Sequence, residues 1–265
     1  MKYKKIITLG LGLIASTIFY SCASAPNVSY SPVSAPSLSS PSSEGGSLDY
    51  AKSQKAKRPG LGTGWGYAKS SKVKTSYFNR SNKPYGEVET IYYNDEEGLD
   101  AMIGKYRYGK KGLQQSSNGL VEWGVKQGLG TLKSYYRGGK RFVEGGNGRT
   151  YSIVVKNICH ARIEAVVSVD GLDVMNGRGA STKNRGYVIN PGKIVEIKGF
   201  RTSEDAVAAF KFSSVASSYS AEKYDTTRNV GVIGLAVFPE EGVDPWKWST
   251  REIKDRTDAS PFAAR

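Results

Sequence analysis

Cys159 and His160 are the first residues that invite a chemical reading, because a thiol beside an imidazole is the minimal nucleophile and base of covalent catalysis. Adjacent residues in an extended segment point to opposite faces, so this pair cannot form a dyad without a bend. The chain holds one His and two Cys, too few for a His-rich metal site or a Cys-built zinc site. Cys159 therefore reads as a small buried thiol beside a surface imidazole. The glycine run Gly60–Gly66 (GLGTGWG) lacks the Gly-Lys-Ser/Thr ending of a phosphate loop. It reads as a turn with Trp65 packed as an anchor. Two acidic groups, Asp95, Glu96, Glu97 and Asp100 in one and Glu240, Glu241 and Asp244 in the other, are the raw material of a carboxylate pair. A glycosidase needs its two carboxyls about 5–10 Å apart across a cleft. The alternating ligands and central glycine of a calcium loop are absent from both runs.

The strongest pattern is basic and aromatic. Lys105, Tyr106, Arg107, Tyr108, Lys110 and Lys111 form one cluster, and Lys133, Tyr135, Tyr136, Arg137, Lys140 and Arg141 form a second of the same composition. From Lys105 to Arg141 there are nine basic residues and one acid, Glu122, within a chain of formal charge +14. Tyrosine rings offer stacking faces and the cations meet phosphate or carboxylate groups. Gly138-Gly139 between two strand-like runs predicts a two-residue hairpin with Arg137 facing Lys140, Tyr135 facing Phe142 and Lys133 facing Glu144. Two like charges directly opposite cost a few tenths of a kcal/mol, roughly, unless an anion relieves them. These twelve residues are the expected anionic-ligand site. No catalytic, cofactor or metal residue is assigned.

The elements that must position these residues are mostly strands. Tyr151, Ile153 and Val155 alternate with polar neighbours, as do Ile163, Ala165, Val167 and Val169. Phe210 and Phe212 share a face with Ala206 and Ala208. Period two means half-buried strands. Val230–Phe238 is apolar on both faces, as a central strand should be. Turn signals stand at Asp170-Gly171, Asn176-Gly177, Asn190-Pro191-Gly192 and Lys198-Gly199. Residues 149–238 thus predict a β-sandwich-like antiparallel domain. Residues 59–148 predict a basic, Gly/Tyr-rich, mostly β region with strands at Val73–Phe78 and Glu87–Tyr93. Acids early and a lysine late over Asp95–Lys105 suggest a short helix, against which Gly98 and Gly104 count. The fold class is mainly β, with at most one or two short helices. Residues 239–265 are a polar C-terminal tail in which Trp246 and Trp248 pack peripherally or offer a carbohydrate surface.

Ahead of this body the chain opens with Lys2, Lys4 and Lys5, then an apolar run from Ile6 to Tyr20. That run falls short of the about 20 residues that span a bilayer, so it reads as an export signal. Ser21-Cys22-Ala23-Ser24 follows, and this N-terminus resembles bacterial lipoprotein precursors, whose lipobox ends in a small residue and a cysteine. The resemblance implies a signal peptide over 1–21, cleavage before Cys22, and a diacylglyceryl group on its sulfur that anchors the protein in a membrane. Ala23 stands where an aspartate would favour inner-membrane retention, which implies the outer membrane of a two-membrane cell. Residues 23–58 carry 11 Ser and four Pro and little aliphatic periodicity. Residues 22–58 are therefore expected to be a lipidated, flexible tether with a reach of roughly 30–35 Å. RPGLGTGWG (58–66), YYND (92–95), SVDGLDVMNG (168–177), GYVINPG (186–192), IKGFR (197–201) and NVGVIGLAVF (229–238) resemble a recurring module of predicted secreted bacterial proteins. That likeness implies a foldable unit and carries no chemistry.

The expectation is a lipid-anchored cell-envelope protein that acts as a non-enzymatic binding or structural module without a cofactor. Its partners would be anionic polysaccharide or lipid headgroups, with nucleic acid the less favoured polyanion. An envelope hydrolase using acidic residues, and a subunit of a larger envelope assembly, are the alternatives.

Overall fold

The computed structural model describes residues 58–246 and 250–262. Cys22, the signal and nearly all of the tether lie outside the described residues, as does Trp248. In chain order the strands are β1 Leu61–Ser70, β2 Glu89–Asn94, β3 Gly109–Lys110, β4 Gln114–Ser116, β5 Val121–Gln127, β6 Gly130–Thr131, β7 Ser134–Arg137 and β8 Lys140–Glu144. They continue as β9 Thr150–Asn157, β10 Ile163–Val169, β11 Leu172–Asp173, β12 Tyr187–Ile189, β13 Ile194–Ile197, β14 Gly199–Arg201, β15 Ala206–Ser214 and β16 Val232–Pro239. The helices among the described residues, α1 Glu96–Ile103, α2 Tyr219–Tyr224 and α3 Thr250–Thr257, are short, and there is one more of them than the sequence suggests.

The strands build two sheets. One runs β1-β15-β9-β5-β4, and the other runs β11-β10-β16-β2-β8-β7-β3. Every pairing among the described strands is antiparallel except β2 with β8. Alternation turns Tyr151, Ile153 and Val155 of β9, Trp123 of β5 and Phe210 and Phe212 of β15 toward Ile163, Ala165, Val167 and Val169 of β10, Ile233, Leu235 and Val237 of β16, and Ile91 and Tyr93 of β2. These inner faces form the core. β16 sits between β10 and β2, which is why its sequence is apolar on both sides.

The two halves expected from the sequence are not separate bodies. Both sheets draw strands from 59–148 and from 149–238, β5 lying beside β9 and β2 beside β16. The division at 148/149 therefore runs through both sheets. Gly60–Gly66 is also not a turn, since most of it forms β1, paired with β15 from Leu61↔Ser214 onward. Its glycines answer to crowding. A Cβ on Gly62 would lie 2.7 Å from Ser218 Cβ, and one on Gly66 would lie 2.4 Å from the Ala209 carbonyl oxygen. Trp65 lies against Tyr219 and Phe200, ring centroids 4.5 and 6.2 Å away, but stays 46% exposed and is not a buried anchor.

Val73–Phe78 forms no strand. Val73 donates to the Glu204 carbonyl at 3.0 Å and packs against the main core, and Phe78 is buried under Arg162, whose guanidinium lies 5.5 Å from the ring centroid. Just beyond it Arg80 covers Val166, Ala236 and Phe238. Its guanidinium lies 4.2 Å from the Phe238 ring centroid and donates to Glu164 and to the carbonyls of Thr182 and Asn184.

Candidate functional site

The outer face of β2, β8 and β7 is covered by α1. Asp95 caps the helix by accepting from the Gly98 amide at 2.8 Å, and Gly104, at φ 89°, ends it in a backbone conformation that favours glycine. Leu99 and Ile103, four residues apart, bury against Phe142, Tyr92 and Tyr135. Gly98 is there because the helix starts tightly against Asn94, whose Nδ2 would stand 2.1 Å from an added Cβ. The hairpin β7–β8 then closes on the helix end. Its turn is Gly138-Gly139, at φ 55° and 73°, and its register pairs Arg137 with Lys140 and Tyr135 with Phe142. Arg137 Nη1 donates to the carbonyl of Ile103 at 2.9 Å, so the hairpin tip satisfies a C-terminal helix carbonyl.

Helix end and hairpin leave a groove of about 360 Å³ between them. Tyr92 and Phe142, with ring centroids 5.4 Å apart, form its floor, Met102 and Ile103 one wall, and Arg137, Gly138 and Lys140 the other. Lys140 Nζ stands 5.4 Å from the Tyr92 centroid. Neither Arg137 nor Lys140 has an acidic partner among the described residues. Phe142 itself is 5% exposed under Leu99 and Ile103, so the groove offers a ligand two cations on one cross-strand pair beside Tyr92, which suits an anion.

The structure sorts the twelve expected residues into three groups. Lys105, Tyr106, Tyr108, Lys110, Lys111, Lys133, Tyr136, Arg137 and Lys140 are exposed, and Lys110 Nζ lies 5.4 Å from the Tyr136 ring. Tyr135 is half-buried against Phe142 and stacks under Arg107. Arg107 and Arg141 are spent on internal contacts. Arg107 binds Asp100, the Gly104 carbonyl and Glu144, which holds the loop after α1 to β8. Those acids raise its pKa, the Asp100 hydrogen bond most. Arg141 is 6% exposed, because alternation along β8 turns it to the face opposite Lys140 and Phe142. It donates to Ser134 Oγ at 3.0 Å and to the Trp123 carbonyl at 2.9 Å, and its Nη1 has no partner among the described residues. Burial pulls its pKa below the ordinary guanidinium value. The groove floor was not singled out from the sequence, although Tyr92, Phe142 and the Leu99/Ile103 spacing were its available signals.

The other candidate chemistry sits elsewhere. Cys159 is buried, its Sγ 3.4 Å from the Ala161 carbonyl, and burial pushes the thiol pKa up. His160 is exposed beside it, both residues lying in a bend between β9 and β10. Glu164 is buried under Arg80, Glu240 pairs with Arg162, and Glu96 and Glu97 face solvent. Among the described residues no three His, Cys, Asp or Glu side chains are grouped to hold a metal ion. Trp246 Nε1 donates to the Tyr85 hydroxyl at 2.9 Å and packs against the core edge.

One carboxyl has a raised pKa, and the sequence marked it only as a turn residue. Asp170, at φ 54°, is 2% exposed between the sheets. It accepts from the amides of Thr63 at 2.7 Å and Gly231 at 2.9 Å and from the Tyr93 hydroxyl at 2.5 Å. Thr63 Oγ1 links Tyr93 and Tyr151 at 2.7 and 2.6 Å. Burial pushes Asp170 up to about 6 against the downward pull of those donors. No protein-family model, curated protein or solved structure matches this chain.

Proposed function

We propose that this chain is a lipid-anchored cell-envelope protein, held to the membrane through Cys22, whose β body binds anionic surface polymers without catalysing a reaction on them. The observation that carries the binding reading is the pair of acid-free cations, Arg137 and Lys140, over the Tyr92–Phe142 floor. The cations Lys105, Lys110, Lys111 and Lys133 around it extend the field. Exposed charges attract through solvent, so the association weakens as salt shortens the Debye length from about 10 Å at 0.1 M to about 3 Å at 1 M. The anchor reading rests on the charged start, the short apolar run and Ser21-Cys22. Two or three acyl chains, at ~0.8 kcal/mol per buried methylene, make such an anchor firm.

The test is retention of the detergent-solubilised full chain on immobilised acidic polymer at graded salt. The double substitution Arg137→Glu with Lys140→Glu is expected to lower retention at least tenfold at low salt, and unchanged retention removes the patch from the reading. The anchor is tested by metabolic labelling with an alkyne palmitate. Labelling that is lost in Cys22→Ser supports it, and an unlabelled protein free in the culture fluid overturns it.

A further inference from the structure

Resting on the anchor reading, we infer that the rim formed by β1 and α2 docks on the headgroup layer of the bilayer that holds Cys22, with the basic groove at the far end of the body. A break within β1 is the first reason. Leu61–Gly64 is buried, whereas the strand is mostly exposed from Trp65 onward, although that half carries the large rings. A bulge between Trp65 and Ala68 interrupts the regular alternation there, and bulges re-aim side chains. Trp65 and Tyr67 are left 46% and 60% exposed on the end strand of the sheet.

The second reason is that α2 continues the same rim. Trp65 lies on Tyr219, whose ring centroid is 6.2 Å from that of Tyr224, and Tyr224 is itself 38% exposed. Lys223 Nζ stands 5.0 and 5.5 Å from the centroids of those two tyrosines, and Lys69 Nζ stands 5.6 Å from that of Tyr67. Tryptophan and tyrosine favour the boundary between water and acyl chains, because each joins an apolar body to a polar tip. Lysine lays its stem along such rings while its ammonium meets headgroup phosphate. Residues 58–74 hold four basic residues and no acid, and Glu222 and Asp225 balance Lys223 and Arg228. That mixture of rings and moderate positive charge suits a phospholipid surface with some anionic lipid.

The third reason is where the chain enters the body. Arg58, the first described residue, donates from Nη1 to the carbonyl of Thr227 just beyond α2. The residues that join the body to Cys22 therefore meet it at this rim. A tether with a reach of roughly 30–35 Å holds the rim at high effective concentration over the bilayer, so a contact of a few rings suffices. The groove lies at the other end. β1 and β4 close the first sheet on opposite sides, and β6 shares the β4 side of β5. The Gly112 amide donates to Thr131 Oγ1 at 3.2 Å, which ties the loop after β3 to β6. The β3–β7–β8 end of the second sheet, with Arg137 and Lys140, thus stands on the side away from β1.

The experiment places the full chain, purified from membranes, in vesicles of phosphatidylethanolamine and phosphatidylglycerol. Bromine on the shallow acyl carbons quenches only a tryptophan that touches them. Brominated vesicles are expected to quench part of the parent's emission, and Trp65→Phe is expected to abolish that part. Trp123 is buried and Trp246 is held on Tyr85, and both variants keep the remaining tryptophans, so the difference isolates Trp65. Tyr67→Asp, at an exposed position, is expected to lower the quenching of Trp65 about threefold or more, and unchanged circular dichroism melting confirms that the fold is kept. Both variants are expected to stay within about twofold of the parent in retention on acidic polymer, because the groove is at the other end. Quenching that is absent, or that survives Trp65→Phe, in a chain that takes up the palmitate label and floats with the vesicles overturns the docking and leaves the anchor standing. A chain that takes up no label overturns the anchor. Vesicles added to that chain then decide the docking alone, which quenching of Trp65 supports and its absence overturns. Dimers seen by sedimentation in detergent, and dissociated by Tyr67→Asp, assign the rim to a second copy and overturn the inference.

Discussion

Replacing Asp170 by Asn gives a pH signature whose sign follows from its position between the sheets. The usual Asp value of 3.8 rises to about 6 in the fold, which corresponds to about 3 kcal/mol at about 1.4 kcal/mol per pH unit. A group whose folded pKa is raised stabilises the fold fully below its unfolded pKa and loses that contribution as pH rises through the folded one. Asp170 therefore contributes most below pH 4, and the contribution disappears by about pH 7. The carboxamide does not titrate, so it lacks this slope. Its cost is geometric, because Oδ2 accepts from the Thr63 amide and Oδ1 from the Gly231 amide and Tyr93. Whichever way Asn turns, its NH₂ meets a backbone N–H, leaving buried donors unsatisfied at about 1–3 kcal/mol. The variant should be about 1–3 kcal/mol less stable than the parent at pH 4, and as stable or more stable at pH 7. Urea titrations at pH 4, 5, 6 and 7, followed by the fluorescence of the buried Trp123, measure the gap. A gap that is constant across this range, or wider at pH 7, would show that the donors outweigh burial and that the carboxylate stays ionised.

Arg80→Ala strips the nearer cation from the buried Glu164, leaving it the Gly186 amide at 2.8 Å and the exposed Arg185 at 3.9 Å, and is expected to cost about 3–5 kcal/mol in the same urea assay. Arg141→Met removes a buried cation that has no carboxylate partner, and the loss of its bonds to Ser134 and Trp123 offsets the gain. Its stability should stay within about 1 kcal/mol of the parent. Gly199→Ala would place a Cβ 1.9 Å from the Ala208 carbonyl oxygen, where the paired backbones of β14 and β15 cannot separate. A loss of about 1–3 kcal/mol or more is expected, read as a lowered thermal midpoint.

Local signals were legible where the physics is local. Period-two alternation located β9, β10 and β15, the double-sided apolar run located β16 at the middle of its sheet, and Gly138-Gly139 set the pairing of Arg137 with Lys140. Early acids over Asp95–Lys105 pointed to α1, while Gly104, which counted against the helix, is the residue that ends it. Partner choice over long sequence separations was not legible. β1 pairs with β15 across most of the chain, so a glycine-rich run that looks like a turn becomes a strand once Ala209 and Ser218 approach it. The boundary at 148/149 failed for the same reason, since composition shifts along the chain while the sheets interleave it. Val73–Phe78 has the residues of a strand but forms no ladder: Val73 bonds the Glu204 carbonyl and Phe78 is buried under Arg162.

The candidate site shows the same limit in side chains. Lys140 and Arg141 are adjacent cations in one basic run, yet one faces the groove and the other the interior, because successive strand residues point to opposite faces. Composition cannot tell them apart, and alternation does so only once α1 is known to cover the Phe142 face. Arg107 is likewise removed from the surface charge by Asp100 and Glu144, acids that a window of basic residues does not display. What makes Arg137 and Lys140 a site is therefore not the density of positive charge around them. It is that the fold supplies acids to Arg107 and an interior to Arg141, and leaves these two cations facing each other across a glycine turn above two aromatic rings. An anion that neutralises both at once fits that arrangement.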